Sequence, residues 1–385
     1  MQITTLSGSV YESQKKSAIN NSPIAKHIPL GALQVNPDNT ITVTNEDGTT
    51  QDLPISEQAV LDFCQRLRIP KSFGQRMDKA FDEGFLANLI NMVKSTDNAT
   101  VREVTLLVDP VKKVIDRVLP SDRAMISNEA FLDFVEPIID AHDLGVTHFG
   151  LDQYGAIQLN CLSKNNMFKV PGMDTELFFT GVNFGNSPAE GLTVRSAVLR
   201  TLCTNSTIFA DAFSLHSLNE KWRREFNEHM LSLRSSGFRP EGIEDKIRKA
   251  NVTQASVAEM KSAMSAMQSS GKIIDLNFMQ RYCPLDKVSR AYEAKGINIG
   301  ELSQAQVKNA KAGITIWDLV NGMTNYASND TRSNMDDYSR QQVMKSAGNL
   351  LYKKNYDTEN LIQIDPFGNE MLLSSREQQI VRGDA

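Results

Sequence analysis

Chemistry in this chain has few places to reside, and the most cationic is Lys221-Trp222-Arg223-Arg224. Three cations around one aromatic ring suit neutralisation of a phosphate backbone and stacking of an unpaired base. The opposing reading is a solvated helix face, since Glu220, Glu225 and Glu228 interleave with the cations and offer intrahelical ion pairs. Lys246-Ile247-Arg248-Lys249 and Lys353-Lys354 are further basic groups. Together with Arg200, the residues Lys221, Trp222, Arg223 and Arg224 form the expected nucleic-acid-binding set.

Cys203 is the thiol in the most suggestive setting, Arg200-Thr201-Leu202-Cys203-Thr204-Asn205. A nearby arginine could depress its pKa and an asparagine could orient a partner group. No histidine base adjoins it, and an apolar strand position suits a cysteine acting as a small hydrophobe. The structural role is the expectation, and no catalytic residue is assigned. His142 and His148 bracket Asp143, but the spacing matches no ligand set, and His216 and His229 are no more specific. No metal and no cofactor are expected. Gly181-Val182-Asn183-Phe184-Gly185 fits neither the Walker nor the dinucleotide pattern, and Asp336-Asp337 are too close in sequence to share a helix face.

The four cysteines include no Cys-x-x-Cys pair, which argues against zinc ribbons and disulfide scaffolds and for reduced thiols in a cytoplasmic setting. The 41 basic and 46 acidic residues leave a net charge of −5, excluding a wholesale basic nucleic-acid binder while permitting a local basic groove. Neither a secretory leader nor a membrane-spanning stretch is expected.

The elements that must position these residues follow from periodicity. Thr40 to Thr44 alternates as a short strand, and Ser56 caps a helix carrying Val60, Leu61, Cys64 and Leu67. A second helix carries Phe85, Leu86, Leu89, Ile90 and Val93. Near residue 100 the pattern changes to alternation. Val104 to Val108 turns at Asp109-Pro110 into Val114 to Leu119, Ser127 caps a helix, and Val146–Leu151 forms a hairpin with Ala156–Leu162. Glu176 to Phe184 and Thr193 to Cys203 read as further strands. Beyond Ser214 the pattern is helical, over Thr253–Gln268, Ile316–Ala327 and Met335–Tyr352, with a weak capping box at Ser303–Gln306. After Asn355 an irregular or short-strand tail is expected. The predicted class is α+β: an antiparallel strand-rich central body (100–213), a helical N-terminal portion (1–99, short strands then helices) and a helical C-terminal lobe (214–385).

Three segments resemble the uncharacterised phage- and plasmid-borne family described as "phage/plasmid-like". They are Val114 to Asn128, with its strand, Ser-x-Arg connection and helix; Asn186-Ser187 with the strand ending in Arg200-Thr201-Leu202-Cys203-Thr204-Asn205; and Thr315 to Ala327. The likeness spans roughly 55–350. The chain departs from it at Pro120, at Ala124-Met125 in place of an aromatic, and at His216-Ser217 in place of a His-Thr pair. The resemblance implies a mobile-element setting without an established reaction. The expectation is therefore a non-enzymatic phage or mobile-element protein that binds or anneals single-stranded DNA. The alternative is a protein–protein effector, a host-takeover or anti-defence factor without nucleic-acid binding. An enzyme using Cys203 is a third reading.

Overall fold

The computed structural model describes residues 5–38, 40–44, 48–67, 69, 84–94, 103–121, 126–152, 154–173, 176–188, 190–200, 206–215, 221–270, 280–329, 337–352, 362–364 and 370–372. The architecture is α+β, with antiparallel sheets and a helical C-terminal region. Among the described residues no helix is long and apolar enough to cross a membrane.

The central feature is a five-stranded antiparallel sheet in the order β11-β10-β9-β8-β7. Its strands are β7 (Leu144–Leu151), β8 (Ile157–Phe168), β9 (Phe178–Ser187), β10 (Gly191–Arg200) and β11 (Ser206–Leu215). The β7–β8 turn is built by Asp152, whose Oδ1 accepts from the backbone N–H groups of Tyr154 and Ala156 at 2.8 Å, with Gly155 at φ +74°.

One face of this sheet is apolar. Ile157, Leu159, Cys161, Val182, Phe184, Leu192 and Val194 pack under three helices: α1 (Gly8–Asn20), α4 (Asn128–Ala141) and α5 (Trp222–Ser235). Ser127 caps α4 by accepting from the Ala130 N–H, as its position predicts.

Ahead of the sheet lie two three-stranded sheets. One orders β1 (Ile24–Pro29), β5 (Glu103–Val108) and β6 (Ile115–Pro120); the other orders β2 (Leu33–Val35), β3 (Thr40–Thr44) and β4 (Thr50–Pro54). With α2 (Glu57–Arg66) and α3 (Phe85–Lys94) they enclose one core around Ile41, Phe63, Ile90 and Leu106. The strand pairing does not break at residue 100, because β1 pairs with β5 across it. Neither α1 nor β1 was legible in the polar first 35 residues. Only Ala18 of α1 is buried, so the helix has almost no apolar stripe to read.

The C-terminal helices are α6 (Ile243–Val252), α7 (Val257–Ser270), α8 (Leu285–Glu293), α9 (Gln304–Asn309), α10 (Ile316–Asn329) and α11 (Asp337–Tyr352). Their core holds Met260, Met264, Met267, Trp317, Leu319 and Val343, and it meets the central sheet at Phe168, Phe178 and Val198. The helix expected from Thr253 starts at Val257. Gln254–Ser256 forms β12 and pairs with β13 (Lys311–Thr315), while Ser256 and Glu259 bond reciprocally and set the helix start. Ser303 and Gln306 form the expected capping box. The tail contributes a short hairpin, β14 (Ile362–Ile364) with β15 (Glu370–Leu372). Helix α11 meets both edge strands, β11 and β7, and so spans the sheet.

Candidate functional site

The basic cluster Lys221-Trp222-Arg223-Arg224 forms the first turn of α5. Lys221, Arg223 and Arg224 are exposed there, and Trp222 is half-buried. The indole meets Phe134 of α4 edge-on with centroids 5.0 Å apart. Arg223 lies over both rings, 5.1 Å from the Trp222 centroid and 5.6 Å from that of Phe134. The aromatic pair thus fixes the guanidinium in place. Arg224 faces Glu228 at 3.6 Å in an ion pair whose members are about two-thirds exposed, so water screens it strongly.

Arg200 belongs to a different place. It pairs with Glu176 and lies 5.8 Å from the Trp317 ring centroid, with its side chain 15% exposed. Its cross-strand neighbour is Phe178. The C-terminal end of α5 sits close by, where Thr180 Oγ1 donates to the Gly237 carbonyl, whereas Phe226 near the other end stacks on Phe184. A 14-residue helix is about 21 Å long, so Arg200 and the basic turn lie near opposite ends of α5. The second basic group is engaged within its own lobe. Arg248 and Lys249 pair with Asp245, and Lys246 lies 3.7 Å from the Tyr352 ring centroid.

Cys203, Asn205, His216, Lys353, Lys354 and Asp336 lie outside the described residues. His142 caps the end of α4 against Phe238, and burial, then Arg234, lowers its pKa. Among the described residues no three His, Cys, Asp or Glu side chains converge as a metal site. Burial raises the thiols of Cys64, Cys161 and Cys283, the last to about 12, so they are poor nucleophiles near neutral pH.

A second constellation was not singled out from sequence. Side chains alternate across a strand, so residues between the apolar ones of β8, β9 and β10 project to the opposite face. The register sets His148, Asn160, Asn183 and Arg195 in one cross-strand row, and Gly150, Gln158, Gly185 and Thr193 in the next. Gln158, Asn160, Asn183, Thr193 and Arg195 are all at most 5% exposed. The Asn183 amide donates to Asn160 Oδ1 at 2.7 Å, and Arg195 donates to Asn183 Oδ1 at 3.2 Å.

Arg195 also pairs with Glu190 in the β9–β10 turn, and Glu190 takes a second cation, Lys345 of α11. Burial pushes the Glu190 carboxyl up, but Arg195 and then Lys345 outweigh it and hold the group below the usual carboxylate range. The Gly-x-Asn-x-Gly stretch, Gly181 to Gly185, is the middle of β9 and forms no phosphate loop. Its glycines allow close approach instead: a Cβ on Gly185 would lie 2.5 Å from Thr193 Oγ1 and 2.8 Å from Gln158 Nε2. The available signal was the period-2 alternation itself, Gln158-x-Asn160 and Thr193-x-Arg195. A buried polar face is the reverse of the usual assignment.

Compared with family models, curated proteins and solved structures, the chain matches none.

Proposed function

We propose that this chain binds single-stranded nucleic acid, without catalysing a reaction, through the first turn of α5. The observation that carries the reading is Arg223 held over Trp222 and Phe134, with Lys221 and Arg224 exposed on the same turn. A guanidinium fixed on aromatic rings loses little freedom when it meets a phosphate or stacks under a base. The flanking cations would neutralise neighbouring phosphates. Arg200 has no part in this reading, being paired with Glu176 away from that turn. A cytoplasmic, mobile-element setting, as the family resemblance implies, belongs to the same proposal.

The test is fluorescence anisotropy with a single-stranded oligonucleotide at several salt concentrations. Each phosphate neutralised steepens the log–log salt dependence by about 0.7. Arg223→Ala with Arg224→Ala should weaken binding and flatten that slope. An unchanged slope, or no binding by the parent at low salt, defeats the reading. One observation favours the protein–protein effector instead: Arg224 already faces Glu228, so part of the turn's charge is locally compensated. Absence of nucleic-acid binding at low salt would leave that reading in place.

A further inference from the structure

On β8, β9 and β10 the polar face of the central sheet is buried as deeply as the apolar one, and part of it is unsatisfied. Gln158 Oε1, Thr193 Oγ1 and Arg195 Nε are closed off from solvent and have no hydrogen-bond partner among the described residues. Buried polar atoms are nearly always paired, so three orphans in one neighbourhood call for an explanation. They are neighbours in the fold. Gln158 and Thr193 flank Gly185 in one row and lean over it, and Arg195 follows Thr193 by two residues on the same face. Gln341, one turn before Lys345 on α11, is also buried with Oε1 unpartnered.

Among the described residues, two cations, Arg195 and Lys345, share the one carboxylate of Glu190 in a largely desolvated place. Lys345 is the exposed member, with 36% of its side chain accessible, so the face communicates with solvent beside the β9–β10 turn.

We infer that this face is a binding site for a phosphate group, held by Thr193, Arg195, Gln158 and Lys345. The donors are a hydroxyl, a guanidinium Nε–H, a carboxamide and an ammonium. A half-turn of the carboxamide exchanges its oxygen for its N–H groups. They come from three elements, β8, β10 and α11, and four donors match the several acceptor oxygens of a phosphate. The two cations, Arg195 and Lys345, supply the attraction. The site lies on the opposite side of the sheet from α5, because Phe184, against which Phe226 of α5 stacks, alternates with Asn183 and Gly185. The inference therefore stands apart from the nucleic-acid reading.

Thermal unfolding of the full chain, titrated with inorganic phosphate at constant ionic strength and in parallel with ribose 5-phosphate, tests it. A ligand at ten times its Kd should raise Tm by about 2 °C, and the rise should saturate. Thr193→Val and Lys345→Met should abolish the rise, whereas Arg223→Ala with Arg224→Ala, on the other side of the sheet, should retain it. Thr193→Val breaks no hydrogen bond of its hydroxyl, so it should fold, and it decides the question alone if Lys345→Met does not. A stronger response to ribose 5-phosphate identifies a phosphomonoester as the source, and an equal one inorganic phosphate; both support the site. No saturable rise in the parent means that buried water alone satisfies these atoms, and the proposal falls. It falls equally if the rise survives Thr193→Val.

Discussion

Asn183 on β9 stands directly opposite Arg195 on β10, and its carboxamide joins that guanidinium to Asn160 on β8. One uncharged side chain thus satisfies polar groups from two flanking strands, and all three are buried. Low local dielectric strengthens such a network while raising the cost of any broken member.

Asn183→Ala should therefore cost more than the loss of one hydrogen bond. It leaves an Arg195 N–H and Asn160 Oδ1 without their present partner in the interior. Urea unfolding should show a loss of about 1–3 kcal/mol. A change too small to measure would mean that water enters and replaces the amide.

Glu190 predicts a pH dependence. Its folded-state pKa is depressed, so the folded chain holds this proton less tightly than the unfolded chain does. The resulting stability is complete above the unfolded value and is lost as pH falls through the folded one. Glu190→Gln removes that increment. Between about pH 5 and pH 3 the parent should lose more stability than the variant, and parallel acid-unfolding curves would contradict the assignment.

Two glycines of β9 should differ sharply. A Cβ on Gly181 would lie 2.0 Å from the Cys161 carbonyl oxygen and 2.7 Å from Leu162 Cα, so the backbone of β8 must move. Gly181→Ala should cost about 3 kcal/mol or more. The atoms nearest a Cβ on Gly185 belong to the side chains of Thr193 and Gln158, which can turn aside, so Gly185→Ala should cost about 1–2 kcal/mol. Chemical denaturation of the two variants reads the difference.

The basic turn makes its own contrast. Trp222→Ala removes a half-buried ring packed on Phe134 and covered by Arg223, for an expected loss of about 2 kcal/mol. Arg224→Ala breaks only an exposed pair and should leave Tm unchanged within error. A large Tm change in the second variant would give Arg224 a structural role and weaken its use as a binding probe.

The local elements were largely legible because their signals are local. Ser56, Ser127 and Ser303 act as caps, and the alternation around Asp109-Pro110 and Asp152 becomes two hairpins. Elements that depend on distant partners were not. Strand β1 is recognised only by its pairing with β5 about 80 residues later, and α1 contributes a single buried alanine. The basic cluster was visible as a run of cations beside a tryptophan, but sequence could not tell that Arg200 would face Glu176 and Trp317. The row containing Asn183 and Arg195 was hidden for another reason. Its alternation was visible, but nothing local showed that α11, about 140 residues beyond β10, would help to bury it.

That separation has a consequence for synthesis. The ribosome completes all five strands of the central sheet long before it delivers α11, the helix that reaches both of the sheet's edges. During that interval the row of His148, Asn160, Asn183 and Arg195 is left to water. Hydrated amides and a guanidinium tolerate such a wait, whereas an apolar surface would invite the nascent chain to associate with others.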